Sequence, residues 1–259
     1  MTSPDRSQPA CLLIHGYRGS PLELENLAAA LEAAGIATRV PCLPGHGPDT
    51  DTFASRRFTD WLACAEDALA ALRAAHDRVA VIGFSMGGTL ALNLAARFPV
   101  AGVVTLSAPL YVLHVSPWPV QHAIFYGSSA LAQVGRLFKR GKKEPEKGEP
   151  SRDTISWKGY DGPLNIPQLF SFRQGCIATR KLLPNLTAPL LAMHDAGDKI
   201  VYSGNACEIA RRVASRVATV VYTRIRETNT RRHMIITHEE TKTLVIDTVT
   251  RFCRESCFQ

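Results

Sequence analysis

An α/β fold with a mostly parallel sheet is what this sequence predicts, on three observations. Apolar runs of strand length alternate with Ala- and Leu-rich stretches of helix length. The strand runs are nearly continuous in hydrophobicity, as strands buried on both faces must be. And one run leads through Gly83-Phe84-Ser85-Met86-Gly87 straight into a helix-like segment, so a serine stands on a sharp strand-to-helix turn. With 259 residues, 46% hydrophobic and 20% charged, the chain fits a single domain, 1–259, around a large core.

The elements follow in order. Residues 10–14 form an apolar run ending at His15-Gly16, a first buried strand. Residues 22–34 begin after Ser20-Pro21 and stop at Gly35, as a helix with Pro near its start and Gly at its end should. A second strand spans 36–40, closed by Pro41 and the turn-forming stretch around Gly45-His46-Gly47. Residues 61–76 read as a long helix, 78–82 as a β-branched strand and 88–97 as the helix beyond the serine. Strands at 100–106, 188–194 and 217–225 and helices at 203–215 and 239–254 complete the pattern. About nine residues precede the first strand, too few for an opening antiparallel hairpin, so six or seven strands are expected.

The interval 110–184 breaks the rhythm with Pro, Trp, Tyr and a charged run. A stretch that long without a strand predicts an inserted cap of short helices over the site, because the strand pattern afterwards resumes as one sheet.

Composition excludes several roles. The formal charge is +7, but the basic residues cluster only at 136–152, mixed with acids, Pro and Gly, and at 224–232. Neither cluster carries the interleaved aromatics of a nucleic-acid binder, so no nucleic-acid partner is expected. No stretch approaches a membrane span and the N-terminus lacks an apolar signal core, which predicts a cytoplasmic protein. A basic cap leaves room for weak contact with a lipid surface. The seven cysteines are scattered, with no C-x-x-C pair, and read as reduced thiols packed mostly as small apolar residues; Cys253 and Cys257 make a poor zinc site.

A serine hydroxyl needs a neighbouring base, usually a histidine oriented by a buried carboxylate. G-x-S-x-G between a strand and a helix fits a nucleophile elbow, whose partners follow as acid and then histidine on later strands. Asp198 fits the acid position after the strand at 188–194; Asp195 is the rival and reads as a turn starter or cap. His233 fits the base. His238 reads as opening the final helix, in a surface or capping role, while His114 and His122 come in the wrong chain order. Two backbone N–H groups are also needed for the developing oxyanion: that of Met86, after the serine, and that of Tyr17, in the loop after the first strand. The His15 side chain is expected to pin that loop.

Leu13-Ile14-His15-Gly16-Tyr17, Gly45-His46-Gly47, Gly83-Phe84-Ser85-Met86-Gly87-Gly88, Asp198-Lys199-Ile200-Val201 and His233-Met234-Ile235 occur in an order that resembles the α/β-hydrolase superfamily. Within it the set is similar to bacterial carboxylesterases and monoacylglycerol lipases. The resemblance implies a serine ester hydrolase of short- to medium-chain acyl esters or monoacylglycerols. Ser85 would be its nucleophile, Asp198 its acid, His233 its base, and the Tyr17 and Met86 amides its oxyanion hole, with no metal and no organic cofactor. Phe125, Tyr126, Leu131, Leu137 and Phe138 in the cap are candidates for an acyl pocket. The alternatives are a thioesterase or carbon–carbon bond hydrolase using the same triad, or a ligand-binding module on a hydrolase scaffold. One departure stands out. Relatives usually carry a small residue before the catalytic histidine, whereas here Arg231-Arg232 precedes His233; the arginines either face solvent or meet an acidic substrate group.

Overall fold

The computed structural model describes residues 6–47, 52–111 and 165–259. Six strands form one parallel sheet: β1 (Ala10–Ile14), β2 (Ala37–Arg39), β3 (Val79–Phe84), β4 (Gly102–Leu106), β5 (Leu190–Asp195) and β6 (Ala218–Thr223), in the order β2-β1-β3-β4-β5-β6. The helices are α1 (Glu25–Ala33), α2 (Phe58–Ala75), α3 (Met86–Arg97), α4 (Ile166–Leu182), α5 (Asn205–Arg212) and α6 (Lys242–Phe252).

The period of two along each central strand explains why its sequence is apolar throughout. Leu12, Ile14, Val79 and Val81 point into one core with α2, α3 and α4. Cys11, Leu13, Ala80, Ile82 and Phe84 point into the other with α1 and α6. Among the described strands, only the edge strands β2 and β6 carry exposed residues. Helix α3 is buried along its whole length to Ala96, so its sequence is apolar all round rather than striped. Its one amide, Asn93, is satisfied from α4 by the Thr179 hydroxyl at 3.0 Å.

Most of the interval expected to form a cap, 112–164, lies outside the described residues. Its described end is a helix of 17 residues, α4, packed on the body beside α2 and α3. Asn165 caps it by accepting the Gln168 N–H at 3.0 Å. Phe172 stacks on Phe58, with ring centroids 6.0 Å apart. Gly175, which weakens the helix signal in the sequence, sits where any Cβ would overlap the Phe58 ring. The pocket candidates Phe125, Tyr126, Leu131, Leu137 and Phe138 lie outside the described residues, as do His114 and His122.

Other boundaries move by a few residues. A 3-10 turn at Pro21–Leu24 precedes α1, and Gly35, at φ 80°, ends it. The last helix starts at Lys242 rather than 239 and closes in a π turn at Cys253–Cys257. All seven cysteines are free, and Cys11, Cys176, Cys253 and Cys257 are buried. Among the described residues no helix is long and apolar enough to cross a membrane.

The order in which strands are added reverses at β1: the connection after β1 runs to β2, while β3 lies on the other side of β1. In open parallel sheets such a switch opens a crevice at the carboxyl ends of the strands. The loops after β1, β3, β5 and β6 meet there.

Candidate active site

Ser85 is the hinge between β3 and α3. Its backbone sits at φ 52° and ψ −120°, a strained region for any residue with a Cβ, and its N–H is held by Leu106 O at 2.8 Å. The flanking glycines are there for approach. A Cβ on Gly83 would overlap the Gly87 backbone, and one on Gly87 would overlap the carbonyl of Ile14 in β1. The side chain of Ser85 is left partly exposed at the end of the sheet.

His233 comes to it from the loop after β6, with Nε2 2.9 Å from Ser85 Oγ. Its carbonyl accepts from Ser107 Oγ at 3.1 Å and its ring leans on Phe84, with centroids 5.3 Å apart, which fixes the imidazole from behind. On the other ring nitrogen, Nδ1 lies 2.7 Å from Asp198 Oδ2. Asp198 is buried and its second oxygen accepts the amides of Ile200 at 2.8 Å and Val201 at 3.0 Å. Burial alone would raise its pKa. The hydrogen bonds from His194 and His233, the charge of His233 and the Val201 amide outweigh that and hold the carboxyl well below the usual range. Ser85, His233 and Asp198 are thus brought together in a chain of hydrogen bonds with an ionised acid at its far end.

The rival acid is engaged elsewhere. Asp195 ends β5 and caps the turn: Oδ1 accepts Gly197 N at 2.8 Å, and Oδ2 accepts Ile225 N at 2.6 Å and Thr223 Oγ1 at 3.2 Å. His238 departs from the expected surface role but keeps a capping one, its carbonyl accepting the amides of Thr241 and Lys242. It is fully buried, with Nε2 donating to Glu227 at 2.9 Å and Nδ1 accepting the Glu240 amide at 3.2 Å, so it closes the loop that carries His233.

Arg232, the unusual neighbour of the base, adopts φ 57°, the left-handed conformation that glycine takes without strain. Its guanidinium lies over Gly197 and its Nε donates to Glu227 O at 3.2 Å, while Arg231 is exposed and its carbonyl accepts Lys199 N at 2.9 Å. The two arginines therefore tie the loop that carries His233 to the loop that carries Asp198.

The loop after β1 is pinned by side chains that the motif reading did not assign. Glu23 accepts the Gly16 amide at 2.9 Å, His46 Nε2 accepts the Arg18 amide at 3.2 Å, and Gln168 of α4 accepts the Tyr17 hydroxyl at 2.6 Å. His15 joins this loop to the next, its Nε2 accepting Leu43 N at 3.1 Å. The Tyr17 amide thus stands between two amides engaged by Glu23 and His46. The loop lies against the elbow, since a Cβ at Gly16 would come 3.3 Å from Ser85 Cβ. Met86 is buried in the first turn of α3, at the positive end of its dipole.

Burial pushes His15 down to about 3, with His46 adding to the effect, pushes His46 down to about 4, and pushes Glu23 up to about 7. Both imidazoles are neutral acceptors at neutral pH. Glu23 has a consequence for stability. Above the ordinary carboxyl value of 4.5 and up to about 7, the unfolded chain has released this proton and the folded chain keeps it. Stability therefore falls as pH rises through that window and levels off above it. Glu23→Gln keeps the acceptor for Gly16 and cannot ionise. Its stability relative to wild type is expected to rise between pH 5 and 7.5 by on the order of 2 kcal/mol. Urea unfolding of both proteins across that range checks this; a constant difference would refute it.

The model of the alpha/beta hydrolase family matches residues 11–235. A thermostable monoacylglycerol lipase from a Bacillus strain is 28% identical over 211 residues, 81% of this chain and 78% of that protein. Among solved structures, one reported with the metagenome-derived lipolytic enzymes LipS and LipT superposes with a TM-score of 0.74 at 24% identity, covering 96% of this chain and 94% of its own. The monoacylglycerol lipase of Paleococcus ferrophilus superposes with a TM-score of 0.71 at 16% identity, covering 94% and 93%.

Proposed function

The chain belongs to the alpha/beta hydrolase family, and from that premise we propose that it is a serine carboxylic-ester hydrolase working through an acyl-enzyme. The observation that carries the reading is the 2.9 Å approach of His233 Nε2 to a serine hydroxyl held on a strained elbow, with a buried carboxylate on the other ring nitrogen. As Ser85 Oγ bonds to the ester carbonyl carbon, its proton passes to His233 Nε2, and Asp198 stabilises the resulting imidazolium. The Tyr17 and Met86 amides receive the oxyanion. Collapse breaks the carbon–oxygen bond to the alcohol, which leaves with the proton from His233. Water, deprotonated by the same ring, then bonds to the acyl carbon. As the bond to Ser85 Oγ breaks, the ring returns its proton to Oγ, releasing the acid and restoring Ser85.

Short- and medium-chain acyl esters and monoacylglycerols are the proposed substrates, in keeping with the relatives named lipases. A panel of nitrophenyl acyl esters, monoacylglycerols and acyl-thioesters tests this. Ester and monoacylglycerol turnover is expected to exceed thioester turnover. Brisk thioester cleavage with no measurable ester turnover would replace the assignment by that of a thioesterase.

A further inference from the structure

Asp198 carries a second histidine. His194 Nε2 lies 3.0 Å from the same carboxylate oxygen, Oδ2, that receives His233, and 3.3 Å from Val201 O. The ring is 1% exposed, and its Nδ1 has no partner among the described residues. Both atoms facing Nε2 are acceptors, so Nε2 must carry the hydrogen. His194 is therefore an oriented donor through Nε2. With it, Asp198 accepts two imidazole N–H groups on Oδ2 and two amides on Oδ1, the full capacity of a carboxylate.

We infer that His194 is a positioning residue for the acid: it fixes the Asp198 carboxylate and draws off part of its charge, and so sets how firmly Asp198 holds the His233 imidazolium. This rests on the serine-hydrolase reading of Ser85, Asp198 and His233. An acid that holds the imidazolium too firmly favours the protonated base in the free enzyme and slows return of the proton to the leaving alcohol. Sharing Oδ2 between two donors moderates that hold without neutralising the acid.

The other charged groups around the pair have their own partners or face solvent. Asp195 on β5 is bound by the amides of Gly197 and Ile225. In the acid and base loops, Lys199 reaches Thr228 O, Arg232 reaches Glu227 O, and Arg231 is exposed. On α5, Glu208 pairs with Arg211 and Arg212, and on β6 the Tyr222 hydroxyl bonds Ser203 O. His194 reaches Asp198 on the same oxygen as His233.

Two substitutions test the assignment. His194→Leu fills the space and removes the donor; His194→Gln retains a donor near the position of Nε2. For His194→Leu the acid limb of the kcat/KM profile for a nitrophenyl ester is expected to move to higher pH by about half a unit or more. Its kcat should fall about tenfold at neutral pH with KM within about twofold of wild type, because the loss falls on proton transfer rather than on substrate binding. His194→Gln should recover most of both effects. An unshifted acid limb in folded His194→Leu, or equal losses in the two variants, would overturn the inference while leaving the serine-hydrolase reading intact. Absence of ester turnover and of fluorophosphonate labelling in the wild type would overturn both.

Discussion

Ser85→Ala should lower ester turnover by about four orders of magnitude or more, leaving only what the oxyanion amides and substrate binding provide. Covalent labelling by a fluorophosphonate should vanish with it. The fold should hardly notice. Alanine also carries a Cβ, so at φ 52° the backbone strain stays as it was, and among the described residues the lost hydroxyl is bonded to His233 Nε2. Ser85→Gly should be as inactive yet more stable than wild type by about 1 kcal/mol, because glycine takes this φ without strain. Rates, labelling and urea midpoints of the three proteins check both parts. Ester turnover surviving in Ser85→Ala would remove Ser85 from the chemistry. A less stable Ser85→Gly would mean that the elbow is not where the strain lies.

The part of this site that was legible in the sequence is the part written in contiguous residues. An apolar run, a Gly-Ser-Gly turn and an Ala-rich helix fix the elbow locally, and the other strands declare themselves because burial on both faces makes them uniformly apolar. Asp198 could be preferred to Asp195 because an acid at a strand end tends to cap its own turn, as Asp195 does. The supports are another matter. Gln168 meets Tyr17 across 151 positions of chain, and Glu23 and His46 meet the amides of Gly16 and Arg18 through the closing of loops with no shared spacing. Helix α4 was obscured for a related reason, since Gly175 answers to the Phe58 ring of another helix rather than to its own helix. Arg232 looked anomalous beside the base as a charge; its left-handed backbone explains why glycine is the easier residue there. His194 sat in plain view at the end of a strand. Nothing in its neighbours shows that the turn folds Asp198 back onto it.

Gly87→Ala should be among the most damaging single-methyl additions in the protein. Helix propensity argues the other way: alanine in place of glycine within α3 gains about 1 kcal/mol. The added carbon, however, would overlap Ile14 O and lie 2.6 Å from His15 O, both backbone atoms of β1 and its exit, which cannot rotate aside as a side chain could. Helix α3 would have to lift from the sheet along a fully buried face, with an expected net loss of about 3 to 5 kcal/mol. The urea midpoint should fall with the m-value unchanged. Any surviving protein should also be slow, because His15 O belongs to the loop that carries the Tyr17 amide, while Met86 adjoins the altered residue. Gly35→Ala supplies the contrast. Its Cβ would meet nothing within 4 Å, but its φ of 80° is strained, so about 1 kcal/mol should be lost and kcat left alone. A Gly87→Ala protein as stable and active as wild type would mean that β1 and α3 have room to separate. The glycine would then serve the turn at Ser85 rather than the join between the two halves of the proposed oxyanion site.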